Sequence, residues 1–389
     1  MNRVFLDHAA TTPVHPKVLE TMIPYFSQKF GNASSLHSFG QEAYQAVEKA
    51  RESLARLLNA DSREILFTGS GTEADNLALR GVAAKMKARG NHIITSAIEH
   101  HAIDHTTAYL EKLGFQLTYL PVNQYGQVDP EHLRQTITEN TILVSIMHAN
   151  NEVGTIQPIA ELSSIAHERG VLFHTDAVQT VGNIAVDVRV LGVDLLSLSA
   201  HKFYGPKGVG ALYLRKGVPL EPLILGGGQE RGIRAGTTNV AGVVGLGRAA
   251  EIALAELPQR MEHNHALREQ LIDRLERNLS DFQLTGHRRE RLPGSVSICV
   301  QYIEGESMLL YLDQEGFACS SGSACTSGSL EPSHVLLAMG IEPGLAQGSL
   351  RISLGHDNSV ENVNDFYRVL LVVVERLRAM SPFKKKGTS

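Results

Sequence analysis

Glu64-Ile-Leu-Phe-Thr68 runs into Gly69-Ser-Gly-Thr-Glu-Ala-Asp75 and then into Asn76-Leu-Ala-Leu-Arg-Gly-Val-Ala83. The first piece is short and apolar without interruption, the mark of a strand buried on both faces. The last spaces its apolar residues as a helix does. A strand that passes through a glycine turn into a helix is half of a βαβ unit, and the alternation recurs. His92-Ile-Ile-Thr-Ser96, Thr141–Met147 and Val171–His174 read as further buried strands, with helical segments at Pro130–Glu139 and Ile159–Arg169. Alternating strand and helix give an α/β fold: a mostly parallel central sheet with helices on both faces. Such sheets collect ligands at the carboxyl ends of their strands.

Leu195–Ser199 and Val209–Leu214 flank Tyr204-Gly-Pro-Lys-Gly208. They are too close for a crossover helix, so they read as an antiparallel pair. From about Ala249 the character changes. A charged helix over about Glu256–Leu279 leads to a strand at Ser295–Val300, a Gly/Ser-rich loop, and a last helix near Val360–Arg378. The expected division is a large domain over 15–255 and a smaller α+β domain made of 1–14 and 256–389, carrying a loop at about 318–332. The lysine-rich end, Lys384–Ser389, is expected to fray.

Composition bounds the function. The chain has 389 residues, 43% hydrophobic and 20% charged, which is globular rather than disordered. A net charge of −5 argues against nucleic acid or an anionic membrane as main partner. No apolar run approaches the ~20 residues that span a bilayer. Asp7 stands where a signal peptide needs apolar residues, so a cytoplasmic protein is expected. Three cysteines, Cys299, Cys319 and Cys325, are too few for a disulfide framework and leave room for a reactive thiol.

Several residues sit where this sheet would put its chemistry. Gly69-Ser-Gly-Thr72 reads either as a phosphate cradle at a helix N-terminus or as a plain turn with Thr72 as helix cap. Lys202 ends Ser197-Leu-Ser-Ala-His-Lys and points toward the crevice, where desolvation and nearby cations would make it a Schiff-base nucleophile. Ser199 and His201 could add phosphate contacts. Its rival, Lys207, lies in a Gly-Pro turn that suits a surface loop. Asp176 follows an apolar strand. An acid there either caps the next helix or needs a positive partner, such as a protonated pyridine nitrogen. Gln179 lies three residues on. His100 could stack on a planar cofactor and move protons. His101 and His105 have helical metal spacing, but no H-E-x-x-H and no third ligand accompany them, so no metal is expected.

Ser320-Ser-Gly-Ser-Ala-Cys-Thr-Ser-Gly-Ser329 has no large apolar side chain to pack and reads as an exposed loop. Cysteine is normally buried, so Cys325 in such a loop is placed to swing and react. Cys299 reads as core. Arg351 in a strand-like run is either the partner of a substrate carboxylate or an ordinary exposed arginine.

Eight stretches carry a resemblance. They are Leu6-Asp-His-Ala-Ala-Thr-Thr-Pro13, Gly31-Asn-Ala-Ser-Ser-Leu-His37, Gly71-Thr-Glu-Ala-Asp-Asn76, Asn150-Asn-Glu-Val-Gly154, Asp176-Ala-Val-Gln179, Ser199-Ala-His-Lys-Phe-Tyr-Gly-Pro-Lys-Gly208, Arg234-Ala-Gly-Thr237 and Ser321-Gly-Ser-Ala-Cys325. In this order they resemble the motifs of group I cysteine desulfurases, the NifS/IscS type of fold-type I enzymes in the class-V aminotransferase family. The resemblance implies pyridoxal 5′-phosphate held covalently by Lys202. It places Asp176 on the ring nitrogen, Gln179 on the ring hydroxyl, and Gly71, Thr72, Ser199 and His201 at the phosphate. His100, selected over His101 by the Glu-His-x-Ala pattern, would stack on the ring and serve acid–base steps. Thr237 would reach the phosphate of a partner subunit, which implies a homodimer. Asn32, Asn151 and Arg351 would bind the carboxylate of L-cysteine. Cys325 would take the sulfur as a persulfide, with alanine as product, and pass it to an acceptor or iron–sulfur scaffold protein. Selenocysteine lyase and aminotransferase chemistry use the same fold, and a scaffold without activity could keep it. Three stretches depart from the family pattern: His356 follows Ser-Leu-Gly where arginine is usual, Cys319 replaces a small apolar residue, and the lysine-rich end is short.

Overall fold

A computed structural model describes residues 3–322 and 331–381. Its main sheet has seven strands, in the spatial order Ile65–Thr68, Gly210–Leu214, Leu195–Ser199, Leu172–Asp176, Thr141–Ser145, His92–Ser96, Gln116–Leu120. Among the described strands of this sheet Gly210–Leu214 runs against the direction of the other six, with Ser199 opposite Gly210 and Phe67 opposite Ala211. Successive side chains go to opposite faces. Ile65 and Phe67 enter one apolar cluster while Leu66 enters another, and Ile94 and Ile93 divide the same way. This explains why these strands are apolar without alternation. The chain leaves the His92–Ser96 strand for the Gln116–Leu120 edge and returns to Thr141–Ser145 on its other side. That reversal makes a topological switch point, where a crevice opens beyond the strand ends.

A three-stranded antiparallel sheet, Phe282–Leu284, Ser295–Val300 and Ser349–Ser353, and a short parallel pair, Val4–Phe5 with Phe317–Ala318, build a second lobe. Leu6 belongs to its apolar cluster, so the N-terminal strand packs with the C-terminal part of the chain. A fourth apolar cluster, including Ile98, Met147, Val153, Cys299 and Val335, joins this lobe to the ends of the large-sheet strands. Cys299 is buried in it.

The helix expected from about Glu256 begins earlier. It runs unbroken over Val240–Asn278, with Pro258 inside. Its first half packs Leu246, Ala249 and Ala250 into the large-lobe core, and its second half packs Leu267, Leu271 and Leu275 into the other. Gly242, Gly245 and Gly247 lower the helical signal of the first half. Close packing requires at least one of them: a Cβ on Gly247 would lie 2.5 Å from Ala50 Cα. Among the described residues no helix is long and apolar enough to cross a membrane.

Candidate active site

The strand ends and the N-terminal segment enclose a cavity of about 690 Å³. Ten of the residues singled out from the sequence line it: Gly71, Thr72, His100, Asn151, Asp176, Gln179, Ser199, His201, Lys202 and Arg351. Asn32 and Thr237 do not line it and are exposed. Cys325 lies outside the described residues. Lys207 is exposed, as its Gly-Pro turn leads one to expect, and it also lines the cavity.

Lys202 sits on a single 3-10 turn, Ala200–Lys202, just past the end of its strand. Its Nζ donates to Ala9 O at 2.5 Å and to Ala10 O at 2.9 Å. The Asp7–Thr12 segment crosses from the smaller lobe to reach it: Ala9 N donates to Ser353 Oγ and Gln179 Nε2 donates to Ala9 O. His356 stacks on Tyr204 with ring centroids 4.3 Å apart and donates its backbone N–H to Tyr204 Oη, so this departure from the family pattern braces the lysine loop.

Asp176 is the last residue of its strand and is 6% exposed. One carboxylate oxygen accepts Val178 N–H at 2.9 Å. Burial pushes its carboxyl up to about 6, against the lowering pull of Val178 N–H and the Lys202 charge. Behind it lies a polar cluster that sequence reasoning missed. His174, two residues back and therefore on the same face, is fully buried between Ser145 Oγ (2.8 Å) and Ser197 Oγ (3.0 Å). Burial holds its imidazole down at about 3. Asp75 approaches it at 3.7 Å and is driven well above the carboxylate range by burial and by Asp176. Glu99 accepts from Ser96 Oγ and Met147 N, yet burial pushes it up to about 8. Asp75 and Glu99 stand within motifs and His174 ends a strand-like run; only the packing shows that they are buried together.

His100 caps the His101–Lys112 helix: Nδ1 accepts Ala102 N–H, so a neutral ring carries its proton on Nε2. Burial first, then the Lys202 charge, lowers it to about 4. His201 is lowered to about 4 by the same two causes, and its Nδ1 lies 3.1 Å from Thr11 Oγ1. Ser70, not Thr72, caps the Gly71–Met86 helix by accepting from Glu73 N. Thr72 is thus left to face the cavity at the helix N-terminus, where an anion is favoured. Arg234 fixes this cradle by a two-pronged bond to Glu73, which in turn accepts Gly69 N–H.

Arg351 is not an exposed strand arginine; it is 3% exposed. Nη2 donates to Asp7 Oδ1 at 2.9 Å and Nη1 to Asn151 O at 3.1 Å. Its Nε is buried without a hydrogen-bond partner among the described residues. His101 and His105 stack at 5.2 Å, and no group of three potential metal ligands occurs among the described residues.

The model for the class-V aminotransferase family matches residues 4–366. The chain belongs to that family. Cysteine desulfurase IscS of Dictyoglomus turgidum is 54% identical over 98% of this chain and 97% of its own length. A solved NifS-like protein is 43% identical, with a TM-score of 0.91, over 96% of this chain and 100% of that one. A structure described as SspA in complex with cysteine is 37% identical, with a TM-score of 0.79, over 90% of this chain and 98% of that one. As a class-V aminotransferase of the cysteine desulfurase type, the chain uses pyridoxal 5′-phosphate. The residues fit that group. A buried carboxylate suits a ring nitrogen, an amine faces the same cavity, and a helix N-terminus with Thr72, Ser199 and His201 suits a phosphate.

Proposed function

We propose that this cavity removes sulfur from L-cysteine and delivers it to Cys325. The observation that carries the reading is the convergence of Lys202, Asp176 and Arg351 on one cavity from three separate strands or strand ends. Pyridoxal phosphate, when bound, draws electrons out of the substrate's Cα bonds. Lys202 would hold it covalently, Asp176 and Gln179 would orient its ring, and Gly71, Thr72, Ser199 and His201 would hold its phosphate. Arg351 and Asn151 face the space for the substrate carboxylate, with Asn32 as an outlying contributor. His100, neutral at pH 7 with its proton on Nε2, would both cover the ring and exchange a proton with substrate. The Cys325 thiolate then attacks the substrate sulfur. An S–S bond forms, the C–S bond breaks with its electron pair going to carbon, a proton takes the place of sulfur there, and alanine leaves. The persulfide passes to an acceptor protein, such as one that assembles iron–sulfur clusters.

We place the domain boundary at residues 15–255 against 1–14 and 256–389, as the separate apolar clusters support. A homodimer is also proposed. Leu19, Ile23, Phe26, Phe30, Leu36 and Phe39 are each at least half exposed, a density of apolar surface that suits a partner copy. Thr237 would serve that copy's site. Cys325→Ala tests the reading: the yellow of the bound cofactor should persist while sulfide release is lost. Full sulfide release by that variant would defeat it.

A further inference from the structure

The stretch that bears Cys325 leaves the described fold at Gly322 and re-enters it by Ser333, and both residues meet the same carboxyl group. Ser333 Oγ donates to Glu152 Oε2 at 2.5 Å. A Cβ added at Gly322 would lie 2.5 Å from that same Oε2 and 3.2 Å from Ser333 Cβ. Only a glycine fits there, because the carboxylate and the serine already fill the space. Glu152 is 5% exposed and does not line the cavity. It is held by its own turn: Asn150 Oδ1 accepts from Glu152 N at 2.8 Å and from Val153 N at 2.9 Å. Gly154 completes the turn at φ +76°, where a Cβ would also strike Ser295 Oγ. Ser333 in turn caps the His334–Ala338 helix through Val335 N, and that helix is anchored by Val335 and Leu336 in the apolar cluster between the lobes. On the other side, Ser320 exchanges two backbone hydrogen bonds with Arg351, and its hydroxyl donates to Asp7.

We propose that Glu152 is a positioning residue for sulfur transfer, clasping the two roots of the Cys325 segment together beside the cavity. This rests on the reading of Cys325 as sulfur acceptor. The physical need is one of reach. Cys325 is the third residue after Gly322, which gives the thiol about 10 Å of travel from its root. A root fixed against a buried carboxylate makes that travel start from one place, whereas a root free to drift spreads it over many. A misplacement of about 1 Å costs on the order of a hundredfold in such steps. Burial pushes the Glu152 carboxyl up to about 7, against the pull of Ser333 and Arg351. An amide of the same shape keeps an acceptor oxygen for Ser333.

The test uses full-length, cofactor-loaded Glu152→Gln, Glu152→Ala and Gly322→Ala proteins. The spectral change on adding L-cysteine reads substrate binding, and mass spectrometry of a single turnover reads persulfide on Cys325. Gly322→Ala and Glu152→Ala should slow persulfide formation about tenfold or more while the apparent affinity for cysteine moves less than about twofold. Glu152→Gln should recover most of the rate. Persulfide formation by Gly322→Ala at the parent rate, or an equal loss of cysteine binding, overturns the proposal; Gly322→Ala decides alone if Glu152→Ala does not fold. A parallel Cys325→Ser protein separates the two readings. If it still strips sulfur from cysteine at the parent rate, the acceptor assignment fails whatever the clasp variants do.

Discussion

At the strand ends of the seven-stranded sheet, Asp75, Glu99 and Asp176 lie buried within one another's electrostatic reach. Burial outweighs every stabilising contact there, and all three carboxyls are pushed upward. Across the cavity, the three-stranded sheet buries a cation, Arg351, and matches it with Asp7. One wall is thus crowded with acids; the other offers a guanidinium that still has a donor unused among the described residues. A ligand with a protonated ring nitrogen at one end and a carboxylate at the other suits both walls at once, which neither wall indicates alone.

Removing the charge from the acidic wall should have the largest effect. Asp176→Asn keeps the shape and loses the carboxylate. It is expected to weaken cofactor retention on dialysis and to lower desulfuration about a thousandfold, equivalent to about 4 kcal/mol. Near-normal turnover would mean that the acidic wall does not face the ring nitrogen. The basic wall comes next. Arg351→Lys loses the forked donor, and loss of one charged hydrogen bond should raise KM for L-cysteine about 10- to 100-fold with a smaller change in kcat. A kcat fall with KM unchanged would place the arginine's role elsewhere.

The smallest effect is on stability. The folded pKa of Glu99, about 8, stands above its unfolded value of 4.5. The neutral acid therefore contributes stability that is complete below the unfolded value and lost as pH rises through about 8. The apoprotein's thermal midpoint should fall between about pH 5 and 8 and level off above that. Glu99→Gln should flatten that fall by a few degrees, at about 2 °C per kcal/mol. An unchanged slope would show that Glu99 is not the buried titrating group.

Much of this contrast is legible in the sequence. Lys202, Asp176 and His100 follow strands whose apolar runs announce them, and strand ends are where an α/β sheet exposes side chains to ligand. The antiparallel partner of Leu195–Ser199 followed from loop length alone. Other features resisted for identifiable reasons. The Val240–Asn278 helix hides its first half behind glycines that only its packing on Ala50 explains. The Gln116–Leu120 edge strand is mostly half-exposed or exposed and lacks the apolar run of its neighbours. Asp75, Glu99 and Glu152 look like polar residues of motifs, and His174 like the polar end of a strand. Their weight comes from burial, a property of residues far apart in the chain. Arg351 reads two ways in one dimension because Asp7, its partner, is 344 residues away.

The central claim is that the amine of Lys202 carries the cofactor between these two walls. Lys207 lines the same cavity and is the natural alternative. Borohydride reduction of the cofactor-loaded protein, followed by digestion and mass mapping, distinguishes them. The pyridoxyl mass should appear on Lys202 and be absent from a Lys202→Ala protein. A modified Lys207, or no modified lysine at all in a coloured preparation, would contradict the account.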